Sequence, residues 1–489
     1  MRRVLFLLAV CFGIASVNAA PQYELAINGG RVIDPETGLD AVRSVGISGG
    51  SIVAISEQAL KAAKVIDAKN LVVAPGFINV HTHTPTPLGQ HYEALDGVTT
   101  ALDLEAGSYP VASYGELIAD KALINFGTSV GHVAIRLVVV DGVDVGTMIT
   151  KKGISMSGRA FVDKIDAEQR AQMRELFVKG LQKGGLGIGL ALDYVSVAVD
   201  DAELDLIFEV AGEYQVPIFV HVRRGVAGDP AGLIEVLEAA ERHSAPLQVV
   251  HINASAMGGV GEWLRLIDAA RDRGVDVSSE MFPWTAGSAS ISAAVFGRNW
   301  REVFAIDYED VQWSATGEWM TPELFDHYRK NEPRGLTIHH YIKEEWNREA
   351  IKSPYVMVAS DAMPLFSVER KVVPNGIGTS AKVLGRYVRE QGLLDMQTAI
   401  AKLSLLPAQR LESFAPAFKR KGRIQEGADA DITIFDPATV RDRASYMEPF
   451  VPSTGITHVL VNGAEIVAGG ELVEGVYPGR RLLSTENIE

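Results

Sequence analysis

The feature that most constrains this chain is a rhythm through its middle. Short apolar runs recur at Leu71 to Val80, Thr99 to Leu104, Leu186 to Leu192, Pro217 to Val222, Leu247 to Ile252, Val275 to Met281 and Val356 to Ser360. Each is short enough to be a buried strand and too short for an ordinary helix. Segments with helical patterning separate several of them, at Ala167 to Lys183, Asp201 to Tyr214, Gly232 to His243 and Gly261 to Arg273. Strands that alternate with helices build parallel sheets, because a parallel neighbour is reached only by a crossover. Eight such units close into a (β/α)8 barrel. An open doubly wound sheet is the alternative, but the sequence carries no Gly-x-Gly-x-x-Gly run to support it.

Both ends of the chain follow another pattern. From Tyr23 to Val73, short alternating runs are broken by turn signals such as Asn28-Gly29-Gly30 and Ser48-Gly49-Gly50. The pattern returns at Asp431 to Phe435 and in Val459 to Val467, where Asn462-Gly463 predicts a tight hairpin. The expected fold is therefore α/β: a TIM-like (β/α)8 barrel over 73–424 plus a small β-sandwich built from both termini, 21–72 and 425–489. One stretch breaks the rhythm. Residues 288–352 show no clear barrel strand but many aromatics, among them Phe296, Trp300, Phe304, Trp313, Phe325 and Tyr341. They read as an insertion at one end of the barrel, either a substrate-binding lid or a helical subdomain burying its own rings.

Residues 1–20 read as a signal peptide. Arg2 and Arg3 precede an apolar run, Val4 to Val17, which is shorter than a bilayer span, and Ala19 or Ala20 offers the small residue before a cut. The expectation is an exported protein, periplasmic or extracellular, with no membrane span in the mature chain. A lipoprotein reading centred on Cys11 fits less well, because Val10 is bulky for that site. Cys11 is the only cysteine, so the mature chain offers no thiolate to a metal. A formal net charge of −15 argues against nucleic acid as a partner, which needs clustered cations. Self-association is compatible with the sequence.

The chemistry starts at Val80-His81-Thr82-His83, just past the first barrel run. Residues two apart on a strand face the same side, so both imidazoles can reach one ion. Strand ends on that face are where barrel enzymes place their sites. His221 ends Pro217 to Val220, His251 ends Leu247 to Val250, and Asp361 ends Val356 to Ser360. Any one of these could be an ordinary buried polar residue. Four histidines and an aspartate at such positions are hard to explain by chance. Imidazole and carboxylate are the ligands zinc takes when thiolates are absent.

The run Ala74 to His83 resembles the entry motif of the amidohydrolase superfamily, and the chain is most similar to its N-acyl-D-amino-acid deacylase (D-aminoacylase) group. The likeness extends through Gly97-Val98-Thr99-Thr100, Gly131-His132 with Arg136, Leu192-Asp193-Tyr194, His221-Val222-Arg223, Pro283-Trp284-Thr285, Ser360-Asp361 and Gly427-Ala428-Asp429. It implies a metal set of His81, His83, His221, His251 and Asp361. Glu105 stands at or beside the place where typical members carry a cysteine, and by that position is expected to ligate or bridge; Asp103 is the second choice. The implied cofactor is zinc, one or two ions, with another divalent metal compatible. The implied reaction is cleavage of a C–N amide bond in an N-acylated amino acid or related acyl amide by a metal-activated water, with Asp361 as general base and acid. Tyr194 is a candidate hydrogen-bond donor to the substrate.

The likeness fails at substrate binding. The lysine that members carry two positions after the last histidine is Asn253 here, an expected arginine is Asn375, and an expected tyrosine is Phe282 or Trp284. Arg223, Arg224 or Lys371 could take over a substrate carboxylate, with Asn253 and Trp284 also at the substrate. Alternatively the substrate lacks a carboxylate and is an apolar cyclic amide, lactone or neutral amide. A non-catalytic scaffold is disfavoured, because every expected ligand position holds a competent ligand.

Overall fold

The computed structural model describes residues 22–143, 146–147, 151, 153 and 155–485. The expected leader, residues 1–20, lies outside the described residues. No helix among the described residues is long and apolar enough to cross a membrane.

Eight parallel strands form the barrel: β1 (Phe77–Asn79), β2 (Val98–Tyr109), β3 (Asn125–Gly131), β4 (Ile188–Ala191), β5 (Ile218–His221), β6 (Leu247–Val249), β7 (Val277–Met281) and β8 (Val356–Val358). Neighbours pair in sequence order. The circle closes just beyond β1 and β8, where Thr82 bridges Ala362 in parallel and Asp361 N donates to His81 O at 2.8 Å. β3 is the strand with no apolar run. Its sequence, Asn-Phe-Gly-Thr-Ser-Val-Gly, is wholly buried despite its polar residues. Thr128 and Ser129 satisfy their hydroxyls on the carbonyls of Asp103 and Leu104 in β2.

The outer helices start where local chemistry directs. Asp166 caps Ala167–Gln182 in a reciprocal box with Gln169, and Asp200 caps Asp201–Tyr214 by accepting from Glu203 N. Phe177, Leu204, Ile207, Phe208, Val236 and Ile267, on these helices and on Ala231–His243 and Val260–Asp272, are buried with the barrel strands in one continuous core. Burial of each such side chain contributes about 1.5–3 kcal/mol.

Both termini meet in one nine-stranded sheet. Its link is Val72–Pro75, parallel to Tyr23–Asp34 on one side and antiparallel to Ile432–Phe435 on the other. The predicted hairpin forms between Ile456–Val461 and Ala464–Ala468. Asn462 and Gly463 both have positive φ, 49° and 82°, as a two-residue turn matched to strand twist requires. Leu25, Val45, Ile47, Ile432 and Leu460 give this sheet its own core.

The aromatic insertion contains a four-stranded antiparallel sheet: Gly287–Ser290, Leu336–His339, Val311–Trp313 and Glu318–Trp319, in that spatial order. The expected helical subdomain is thus part sheet. Phe296, Trp300, Phe304, Phe325 and Tyr341 pack together in a core separate from that of the barrel.

Candidate metal centre

Each candidate ligand stands at or just past the C-terminal end of a barrel strand, except Glu105, which lies inside β2. A bulge aims it. Asp103 pairs with Thr128 and Ser108 with Val130, so β2 carries residues 104–107 where β3 has only Ser129. Gly107 has φ +63°, and a Cβ there would meet the Gly131 backbone at 2.6 Å. The Asp103 carboxylate accepts from Ala106 N and Gly107 N at 3.2 and 3.3 Å and so holds the bulge. His251 and Asp361 adopt left-handed backbone, φ 35° and 50°. Such strain costs about 1–3 kcal/mol per residue and gathers at functional sites.

The six side chains converge. The carboxylate of Glu105 divides between two histidine pairs. Its Oε2 lies 3.4 Å from His81 Nε2 and 3.3 Å from His83 Nε2, while its Oε1 lies 2.8 Å from His221 Nδ1 and 3.5 Å from His251 Nε2. Asp361 Oδ1 lies 3.4 Å from His81 Nε2 and 3.6 Å from His83 Nε2. Two groups could each hold an ion: His81, His83 and Asp361, and Glu105, His221 and His251.

The donor set fits a cation. His81 and His83 oppose their Nε2 atoms at 3.3 Å, and His221 Nδ1 opposes His251 Nε2 at 3.1 Å. His81 Nδ1 faces Glu280 Oε1 at 3.0 Å, which commits the ring proton there and leaves Nε2 as a lone pair. The same Glu280 oxygen accepts from His251 N at 2.6 Å. His83 Nδ1 likewise faces Asp103 Oδ1 at 3.2 Å. Lone pairs crowded against carboxylate oxygens call for positive charge between them.

The electrostatics agree. Burial disfavours charge on His81 and His83, but Glu280, Asp361 and Glu105 around the first, and Asp103 beside the second, raise both well above the ordinary imidazole value. Burial opposes ionisation of Glu105 and Asp361 too, yet His81 above all holds both carboxyls below their usual range. His221 is pushed down to about 4 by burial, His251 and Arg224.

Glu280 is the site residue that sequence reasoning missed. Its one signal was a carboxylate in the otherwise uncharged run Val277–Met281. Asp103, the second-choice ligand, stands behind His83 as its partner.

A pocket opens on the centre. Tyr194 is in its wall, with its ring 5.0 Å from that of His221. Burial first, then Glu105 and Asp361, keep its hydroxyl protonated well beyond the ordinary tyrosine range. The insertion contributes Val295, Phe304, His339 and Tyr341, so it both buries its own rings and walls the pocket.

Four expected substrate contacts face elsewhere. Arg223 donates to Glu235 at 3.0 Å and to the carbonyls of Ser196 and Val199, because β5 ends at His221 and the chain turns there. The Asn253 amide donates to Phe282 O at 2.9 Å and Asn347 Oδ1 at 2.7 Å. Trp284 donates to Thr379 Oγ1 at 2.9 Å and lies under Lys382. Lys371 reaches Met447 O at the surface. The basic residue that does line the pocket is Arg224.

A closed barrel with histidines and carboxylates gathered at its C-terminal mouth defines the class: a metal-dependent amidohydrolase. No family model matches the chain. An N-acyl-D-glutamate deacylase of Alcaligenes xylosoxydans xylosoxydans is 30% identical, over 91% of this chain and 93% of that protein. A D-aminoacylase of the same organism is 28% identical, over 95% and 98%. The crystal structure of N-acyl-D-glutamate deacylase from Bordetella bronchiseptica, complexed with zinc and a phosphonate mimic of the tetrahedral intermediate, superposes with a TM-score of 0.75. It shares 26% identity and covers 94% of this chain and 99% of that one. The chain belongs to the N-acyl-D-amino-acid deacylase family of amidohydrolases.

Proposed function

We propose that this protein is a zinc-dependent hydrolase that cleaves the amide bond of N-acylated D-amino acids. The observation that carries the reading is the Glu105 carboxylate, which offers one oxygen to His81 and His83 and the other to His221 and His251. The two histidine pairs and Asp361 would hold one or two ions, with Glu105 between them. Zinc bound there supplies a water acidified toward neutrality and an electrophile for the carbonyl.

The chain's own residues do the rest. Asp361 has the most exposed side chain of the six, at 19%, and lines the pocket. Held ionised, it accepts the proton of the attacking water and returns it to the leaving nitrogen. Glu280 fixes the ring of His81 by taking its Nδ1 proton, and the Asp103 carboxylate stands 3.2 Å from Nδ1 of His83. Tyr194 keeps its O–H and is placed to donate to the substrate from beside His221.

The test is amino-acid release by the zinc-loaded protein from N-acetyl-D- and N-acetyl-L-amino acids. The D series is expected to be hydrolysed in preference. Release from neither series overturns the reading.

We also place the mature enzyme outside the cytoplasm, on Arg2, Arg3 and the apolar run that follows. N-terminal sequencing of the protein from fractionated cells checks this: a start near residue 20 or 21 supports it, and an intact Met1 in the cytosol overturns it.

A further inference from the structure

Resting on the deacylase reading, one question is what grips the substrate, since the Asn253 amide N–H groups and the Trp284 indole N–H are spent elsewhere and Asn375 lines a different cavity. We propose that Arg224 binds the substrate's carboxylate, and that the pocket selects N-acyl amino acids with an apolar side chain over dicarboxylic ones.

Arg224 is 9% exposed and lies in the pocket wall. Its guanidinium donates from Nε to His221 Nε2 at 3.2 Å and from Nη1 to the Tyr341 hydroxyl at 2.8 Å, and it lies 5.4 Å from the centre of the Phe304 ring. Among the described residues no acidic side chain forms an ion pair with it. The nearby Asp193 gives one oxygen to the backbone N–H of Arg224 at 3.0 Å and to Arg298 Nη2 at 2.7 Å. A buried guanidinium with no direct ion pair keeps N–H donors that a carboxylate entering the pocket can engage.

Position and tautomer point the same way. In an N-acyl amino acid only the α-carbon separates the scissile nitrogen from the carboxylate carbon, so the anchor must stand beside the metal ligands. Arg224 touches one of them. His221 presents Nδ1 toward Glu105, and an imidazole that ligates through Nδ1 keeps its proton on Nε2. That nitrogen then no longer accepts from Arg224, which leaves a guanidinium N–H for the substrate.

The rest of the wall sets the side-chain preference. Ala254, Phe282, Ala289, Val295 and Phe304 are apolar. His339 is pushed down to about 3 by burial and by Arg224, so it stays neutral. Arg298 is already neutralised by Asp193. One unpaired cation matches one carboxylate.

The experiment compares the zinc-loaded enzyme with R224Q and R224K on N-acetyl-D-leucine, N-acetyl-D-leucinamide and N-acetyl-D-glutamate. The wild type should prefer the leucine acid to both others. R224Q should raise KM for that acid about 100-fold, with kcat changed far less and the leucinamide losing much less than the acid, and R224K should recover part of the loss. Calorimetric binding of N-acetyl-D-leucine to zinc-loaded D361N, with and without R224Q, reads the same contact without turnover, and melting curves report folding. Equal losses on acid and amide, unchanged binding in the R224Q background, or preference for the glutamate overturn the proposal. A wild type that binds N-acetyl-D-leucine through Arg224 but releases no leucine instead overturns the deacylase reading and leaves the anchor standing.

Discussion

Two cavities in the barrel both bury carboxylates, and they treat them oppositely. At the mouth, Glu105 and Asp361 sit among four histidines and are held below the ordinary carboxyl range despite burial. Between β1, β8 and residues 375–380, a cavity whose lining includes Asn79, Glu93, Asp96, Ser360 and Asn375 has no histidine, lysine or arginine in its wall. There burial raises both Glu93 and Asp96 to about 7, against hydrogen bonds that favour the charged form. Desolvation is common to all four groups. What differs is the company, and only the outer pair has neighbours that call for a fixed cation. A buried carboxylate alone does not mark a metal site; a buried carboxylate kept ionised does.

Removing the outer charges should have the largest effect. Glu105→Ala takes away the group shared by both histidine pairs, so zinc measured by atomic absorption should fall by at least one ion per chain, with kcat down by more than about 1,000-fold. Full zinc occupancy in that variant would break the contrast. Asp361→Asn keeps the volume but cannot accept the proton. It should lower kcat by roughly 10²–10⁴-fold while the zinc held by Glu105, His221 and His251 is retained. A loss confined to KM would remove the general-base role.

Stripping zinc tests the outer cavity as a whole. If free zinc stands 1,000-fold above its Kd, the ion adds about 4 kcal/mol to stability. A chelator should therefore lower the melting temperature of the wild type, and lower it much less for Glu105→Ala.

The inner cavity predicts an opposite pH response. A carboxyl whose folded value is raised binds its proton more tightly when folded. Its stabilising contribution is complete below the ordinary value, near 4.5 for Glu93, and is lost as pH rises toward about 7. For Glu93 the loss is roughly 3 kcal/mol across that window. Glu93→Gln, which mimics the protonated form, should flatten the dependence of unfolding free energy on pH between those limits. An unchanged slope would mean that Glu93 is already ionised and partnered.

Much of the outer site was legible in the chain and almost none of the inner one. His81, His83, His221, His251 and Asp361 each close an apolar run, and a strand end in a parallel barrel faces the site by geometry. Glu105 came only from its position in a resemblance, because the bulge that aims it has no apolar periodicity. β3 was missed because its hydroxyls are satisfied by its neighbour rather than absent. Arg223 and Arg224 are adjacent just past β5, where the alternation that would assign their faces has ended. His132 and Arg136, quoted for the resemblance, are buried together on Glu203, a packing contact on the outer helices. Glu93 and Asp96 carry no motif; their setting is made by β8 and by residues 375–380, far along the chain.

The smallest expected effect sharpens the outer cavity from its rim. Burial first, and then Glu105 and Asp361 as like charges, resist loss of the Tyr194 proton, so its hydroxyl remains a donor throughout the working pH range. A donor in that wall can aid the reacting carbonyl only by one neutral hydrogen bond, worth about 1 kcal/mol. Tyr194→Phe should thus lower kcat roughly 3- to 10-fold, with zinc content and the alkaline side of the pH–rate profile unchanged. If the alkaline limb of that profile moves in the variant, Tyr194 titrates in the working range, and the carboxylates beside it do not hold the charge that separates the two cavities.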